Sequence, residues 1–122
     1  MLSDIAAIDP ATAAEHYTWG GVCDGWHLLK HADLNVIQER VPPGAGEVKH
    51  FHSRARQFFF VLSGTATLEF NGHSLTFGAG QGVHVPPETH HRFANHSAQD
   101  VVFLVVSSPS TTEDRTNVAS PV

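Results

Sequence analysis

Between Trp19 and Val106 the chain consists of short runs of apolar residues, many of them alternating with polar ones. Residues i and i+2 of a strand face the same side, so such runs predict β-strands. Clusters of Gly, Pro and Asn separate the runs, and Asn71-Gly72 is typical of a tight hairpin turn because both positions require positive φ. The predicted strands are 26–29, 35–41, 48–52, 57–62, 65–70, 74–77, 82–85, 91–94 and 100–106.

The two ends of the chain depart from this pattern. Asp9 can cap a helix, Pro10 suits a first helical position, and the residues up to Tyr17 are rich in alanine, which predicts one short helix. The tail 108–122 is polar, so it is expected to be loose or to pack on its own barrel or a neighbouring copy. We therefore expect an all-β jelly roll with a short N-terminal helix. It forms one domain over 1–122, with a lead-in (1–17), a barrel (18–107) and the tail.

Composition narrows the class of protein further. Hydrophobic residues make up 41% of the 122 positions and charged residues 16%, as in ordinary globular domains. The net charge of −5 gives no basic surface for nucleic acid. No apolar run has membrane length, and the N-terminus lacks a signal-peptide pattern. Cys23 is the only cysteine, so no disulfide framework is possible, and we expect a cytoplasmic protein.

Histidine is unusually frequent, with ten residues against seven Lys and Arg together. His50 and His52 share one face of a predicted strand and could bind one metal ion together, although a solvent-facing pair is the alternative. Gln57 opens a very apolar strand and faces inward with Phe59 if that strand lines the core. A buried amide needs a partner, either a metal ion or a hydrogen bond. His91 shares a face with Phe93 farther along.

These residues fall in two motifs that resemble those of the cupin superfamily. The first motif is Gly, five residues, His-x-His, four residues, Glu, six residues, Gly; its positions here are Gly44, His50, His52, Gln57 and Gly64. The second is Gly, five residues, Pro, x, Gly, two residues, His, three residues, Asn; its positions here are Gly80, Pro86, Glu88, His91 and Asn95. Gln57 replaces the usual Glu, and Glu88 replaces the second Gly.

The resemblance implies a double-stranded β-helix with one metal ion, whose ligands would be His50, His52, Gln57 and His91. This nitrogen-rich set suits one divalent transition metal ion such as Fe, Ni, Zn, Mn, Co or Cu, and disfavours Mg²⁺ and Ca²⁺. The neutral amide of Gln57 leaves the charge of the site at +2, which should weaken affinity, raise Lewis acidity and favour an anionic ligand. The alternative is that the site has lost its metal.

Other residues are candidates for a substrate pocket beside the metal. Gln38 and Arg40 lie on a strand expected to flank the site, where they would hydrogen-bond a substrate or else face solvent. His84 could serve as a second base, although a structural histidine is the alternative. The aromatic candidates are core or pocket wall; they are Phe59, Phe93 and Phe103.

The resemblance implies dioxygenase, isomerase, cyclase or lyase chemistry on a small organic molecule, and the sequence does not choose among these reactions. The catalytic residues are not identified. A non-catalytic module that binds a sugar or organic acid through its metal is the alternative function. Phe58, Phe60 and Leu62 face away from Gln57, and this second apolar face predicts a homodimer.

Overall fold

The computed structural model describes residues 5–12 and 15–119, which form eleven β-strands and no helix. Consequently none of the residues described belongs to a helix that could cross a membrane. The strands are β1 (Glu15–Trp19), β2 (Cys23–Lys30), β3 (Asn35–Val41), β4 (His50–Phe51), β5 (Arg56–Ser63), β6 (Thr65–Phe70), β7 (His73–Gly78), β8 (Gly82–Val85), β9 (His91–Ala94), β10 (Val101–Ser108) and β11 (Thr116–Asn117).

Two antiparallel sheets enclose one apolar core. The larger has the order β1-β2-β3-β10-β5-β8, and the smaller has the order β11-β4-β9-β6-β7. Alternation along β10 buries Val101, Phe103 and Val105, while Leu68 and Phe93 face them from the smaller sheet. This architecture confirms the predicted all-β jelly-roll class.

The predicted N-terminal helix is wrong. Asp9 closes a turn, in which its carboxylate and its carbonyl oxygen both accept from the backbone N–H of Thr12 at 3.0 Å. Glu15–Trp19 then forms an edge strand along β2. A few alanines provide only a weak helix preference, and the ladder to β2 overrides it. Two of those alanines, Ala13 and Ala14, lie outside the described residues.

The hairpin prediction is confirmed, because Asn71 and Gly72 have φ values of 47° and 77°. The predicted strand 48–52 is shorter than expected and comprises only His50–Phe51. Of the alternatives for the tail, its described part packs on its own barrel. Thr116–Asn117 pairs with β4, and the N–H of Val118 donates to the carbonyl oxygen of Lys49 at 2.8 Å.

Candidate metal centre

Three buried histidines converge inside the smaller sheet. His50 and His91 are directly opposite each other on β4 and β9, and His52 follows β4 by one residue. One ring nitrogen from each lies within 4.8 Å of the others, and the residues are only 2%, 0% and 4% exposed, respectively. Pairing between β4 and β9 therefore brings together the histidines of the two sequence motifs.

Each imidazole is held by a backbone carbonyl through its Nδ1 atom. The acceptors are Val48 for His50 at 2.7 Å, Thr89 for His91 at 2.8 Å and Asp114 for His52 at 2.6 Å. A carbonyl oxygen only accepts, so every Nδ1 carries the proton. Burial lowers the pKa of His50 to about 3 and that of His91 to about 4, and it lowers the pKa of His52 as well. All three rings are neutral, which leaves each Nε2 as a bare lone pair, the form that binds metals.

Gln57 completes this group from the facing sheet. Its Oε1 lies 3.2 Å from Nε2 of His91, while its amide nitrogen donates to Oγ of Ser107 at 3.1 Å. Because Nε2 of His91 has no proton, two acceptors face each other there. Nε2 of His52 is buried without a hydrogen-bond partner. A cation would satisfy all of these lone pairs at once, so the four donors fit a transition metal ion.

Asp114 holds the loop that carries His52. Its carboxylate accepts from the backbone N–H groups of Ser53, Arg54 and Ala55 at 2.7 to 3.0 Å. Burial alone would raise the pKa of this carboxyl, but the three donors outweigh burial and lower it. The same residue thus fixes the loop with its side chain and His52 with its carbonyl oxygen.

His50 and His52 open onto a cavity of about 140 Å³. Its wall includes the expected aromatic residues Phe59, Phe93 and Phe103, with the rings of Phe93 and Phe103 stacked at 3.9 Å between centroids. The full lining is Tyr17, Ile37, Glu39, Glu47, His50, His52, Gln57, Phe59, Phe93, Phe103, Val105, Ser107, Thr111 and Arg115.

Three residues that were expected in the pocket lie outside it, namely Gln38, Arg40 and His84. Ile37 and Glu39 line the cavity, so alternation along β3 turns the other two toward the outer face. There the Arg40 guanidinium binds Asp24 at 2.6 Å, and this ion pair explains its position. His84 is exposed on the outer face of β8, with Nε2 3.4 Å from Nη1 of Arg56.

The cavity also contains an acid–base group that the sequence interpretation missed. The Tyr17 hydroxyl donates to Oε1 of Glu39 at 3.3 Å. Burial raises the pKa of Glu39 to about 8 and that of Glu47 to about 7, and it raises the pKa of Tyr17. Arg115 from the tail lines the same cavity. Glu39 could have been found, because it shares its strand face with Ile37 and Val41; Tyr17 and Arg115 reach the site only through long-range pairing.

A second, more open groove of about 320 Å³ adjoins this cavity on the outside. The two spaces share Tyr17, Glu39, Glu47 and Arg115. These four side chains therefore form the boundary between the inner cavity, where the histidines lie, and the outer groove. A ligand that enters from the groove meets two carboxyl groups, a phenol and a guanidinium before it reaches the histidines.

Comparisons with known proteins agree with this fold. In structure, the chain resembles a double-stranded β-helix protein from Klebsiella pneumoniae (TM-score 0.74, 21% identity, 85% of this chain and 90% of that one). It also resembles a Streptomyces PAC13 variant with uridine (TM-score 0.73, 19% identity, 88% of this chain and 87% of that one).

In sequence, the chain is 36% identical over 94 residues to an oxidoreductase of Arthrobotrys oligospora, covering 70% of this chain and 37% of that protein. It spans well under half the length of the first curated relatives it matches. The family model described as "Cupin domain" matches residues 37–107, which contain both histidine motifs and most of the cavity wall. The chain belongs to the cupin family.

Proposed function

We propose that this cupin is a metal-dependent enzyme that acts on a small polar organic molecule in its cavity. His50, His52 and His91 would hold one divalent ion together with the amide oxygen of Gln57. The observation that carries the proposal is the set of Nδ1 contacts to backbone carbonyls. These contacts aim three unprotonated Nε2 atoms at one point, which a water-filled pocket does not require.

Three imidazoles and one amide oxygen favour Fe, Ni, Zn, Mn or Co over Mg²⁺ and Ca²⁺. Such an ion supplies Lewis acidity to a bound substrate oxygen, or redox chemistry with O₂ if it is iron. The residues of the chain do the remaining work. Phe59, Phe93 and Phe103 exclude water from the inner wall, and Arg115 attracts an anionic group of the substrate at the mouth.

An enzyme is favoured over a non-catalytic binding module because acid–base groups face the cavity. Tyr17 and Glu39 form a hydrogen-bonded pair there, and burial brings the pKa of Glu47 to about 7, close to neutral pH. A carboxyl group with such a pKa can both accept and donate a proton. The relatives support this choice as well, since they include oxidoreductases, a nucleoside dehydratase and a sugar phosphate isomerase.

Metal analysis of protein purified without added metal is the first test. We expect near-stoichiometric transition metal in the wild type, or uptake of one equivalent on titration, and loss of both in His91→Ala. His84→Ala is the matched control, because it removes an exposed histidine outside the cavity. Absence of metal from every preparation, with no uptake, would refute the metal-dependent function.

Catalysis can be tested without knowing the substrate. The metal-loaded protein is incubated with a metabolite extract, and untargeted mass spectrometry compares the wild type with His91→Ala. Depletion of one compound and the appearance of another only with the wild type would support an enzyme. Retention of a compound on the protein without conversion would favour the binding module.

We also propose that the protein forms a homodimer through the outer face of the larger sheet. Phe58 and Leu62 on β5 are 41% and 43% exposed there. Leu104 on β10 is paired with Phe60 and extends the apolar surface. Such a face on a small barrel is typical of an interface between copies.

The single buried thiol of Cys23 supports the cytoplasmic location that we propose.

A further inference from the structure

The four metal donors carry no negative charge of their own. Three are neutral imidazoles, and the fourth is an amide at the position where the cupin motif usually has Glu. A divalent cation placed among them would remain uncompensated inside the protein, and an uncompensated buried charge is costly. Metal sites rich in histidine commonly include one carboxylate. An anionic group on the cavity wall close to the histidines would compensate this charge.

Glu47 is that group, and its position is closely defined. It precedes His50 by three residues in the loop before β4, and its side chain is 16% exposed. One carboxylate oxygen accepts from the backbone N–H of Phe93 at 3.0 Å, while its own N–H donates to the carbonyl oxygen of Phe93 at 2.9 Å. The second oxygen, Oε2, lies 3.8 Å from Nε2 of His50.

The contact between Oε2 of Glu47 and Nε2 of His50 is not an ion pair. The proton of His50 is on Nδ1, which donates to Val48, so Nε2 presents a lone pair to the carboxylate. Two acceptors are held near each other, as also occurs between Gln57 and His91. Arg115 lines the same cavity, but among the described residues no ion pair joins a lysine or an arginine to Glu47. The carboxylate therefore lacks a full countercharge.

We propose that Glu47 is the anionic member of the metal site and balances one charge of the ion, in place of the carboxylate missing at Gln57. This inference rests on the proposed metal-dependent function. Two donors to one ion with bonds of about 2.1 Å are at most about 4.2 Å apart, and the 3.8 Å separation from His50 lies within that range. The anionic role extends the four-donor set and does not replace it.

The test is the metal affinity of the purified apo-protein, measured by competition between Zn²⁺ and a chelator. Glu47→Gln keeps an oxygen that can accept from Phe93 and removes only the charge. We expect its affinity to fall about 10- to 100-fold, with an unchanged unfolding midpoint. Glu69→Gln, which removes a carboxylate that pairs with Arg92 outside the cavity, is the matched control and should bind like the wild type.

A double-mutant cycle distinguishes charge from shape. Gln57→Glu should raise the affinity of Glu47→Gln more than it raises that of the wild type, because it restores the missing charge only in the former. Equal gains in both backgrounds, or an unchanged affinity in folded Glu47→Gln, would overturn the role of Glu47 and leave the metal site intact. No Zn²⁺ binding by the wild type would instead refute the underlying function. If Glu47→Gln fails to fold, Glu47→Asn, which also replaces the carboxylate by a neutral amide, carries the same comparison.

Discussion

Tyr17 reaches Glu39 across a glycine. Gly25 of β2 pairs with Tyr17 on one side and with Glu39 on the other, so the three residues lie in one row across β1, β2 and β3. A Cβ atom at Gly25 would lie 2.2 Å from Cζ of the Tyr17 ring. Because Gly25 has no side chain, the Tyr17 ring can lie over the middle strand, and the Tyr17 hydroxyl reaches the cavity.

Gly25→Ala should therefore displace the Tyr17 ring. We expect a loss of about 1–3 kcal/mol in the free energy of unfolding, which is the usual effect of overpacking, measured by urea denaturation. The matched comparison is the same substitution in a Tyr17→Ala background, where the clash is absent. A similar loss in both backgrounds would show that the cost of the alanine does not come from the Tyr17 ring.

Glu39 should make the stability of the apo-protein depend on pH. Its pKa is about 8 in the folded protein, against about 4.3 in an unfolded chain. The folded state binds more protons between these values, so the free energy of unfolding falls as pH rises from about 4.5 to 8 and then levels off. Tyr17, Glu47 and Arg115 face the same region, and Glu47 titrates in an overlapping range.

The contribution of Glu39 is isolated by comparison with Glu39→Gln. Relative to this variant, the wild type should lose on the order of 2 kcal/mol between pH 5 and pH 8, a value reduced for the partial exposure of the carboxyl. Urea titrations at several pH values measure the difference. Parallel pH profiles of the two proteins would mean that Glu39 is ionised normally in the fold.

Removal of the Asp114 side chain should loosen the loop that carries His52. Asp114→Ala leaves three backbone N–H donors without their charged acceptor, and we expect a loss of about 2–4 kcal/mol in the free energy of unfolding. Zn²⁺ affinity should fall with it, because the ring of His52 loses its fixed direction. Glu113→Ala, at the exposed neighbouring position, is the control for both measurements.

Glu88 stands where the second cupin motif has glycine, and the structure provides the reason for that glycine. The backbone φ angle of Glu88 is +67°, a value that residues other than glycine rarely adopt. Glu88→Gly should raise the free energy of unfolding by about 0.5–1 kcal/mol, since the relieved strain exceeds the added chain entropy. Glu88→Ala retains the strain and should show no gain in thermal denaturation.

The outer face of β5 provides a test of self-association. Leu62→Glu places a charge in the exposed apolar surface and should convert a dimer to a monomer in light scattering coupled to size exclusion. Leu75→Glu, at a residue 40% exposed on the smaller sheet, is the control and should leave the dimer intact. A monomeric wild type at every concentration would exclude the proposed interface.

The sequence predicted the barrel and the histidines because both depend on local spacing. The alternation that buries Gln57 and Phe59 is visible within one strand. His91 was expected beside His50 only through the resemblance to the cupin motifs, and the structure pairs the two residues. Gln38 was expected to face the pocket, but it lies on the outer face of β3. The sequence pattern does not distinguish the two faces of this strand, because polar residues occur on both. The inner face of β3 becomes clear only from its pairing with β10, in which Val105 and Phe103 lie opposite Ile37 and Glu39.

The ends of the chain were the least predictable part. Tyr17 was assigned to a helix, and its role depends on pairing with β2 and on Gly25. Arg115 lies in a polar tail whose composition indicates no structure, and its position depends on the three N–H donors that hold Asp114. Contacts of this kind join residues that are far apart in sequence, so no local pattern reports them.

The contact between His52 and Asp114 also determines when the site is assembled during protein synthesis. The ring of His52 is oriented by a carbonyl oxygen 62 residues farther along the chain. A nascent chain in which both histidine motifs have left the ribosome contains all four proposed ligands, but it still lacks the carbonyl oxygen that orients His52. The three histidines therefore reach their final geometry only after the segment that carries Asp114 has been synthesised and has folded back onto the barrel.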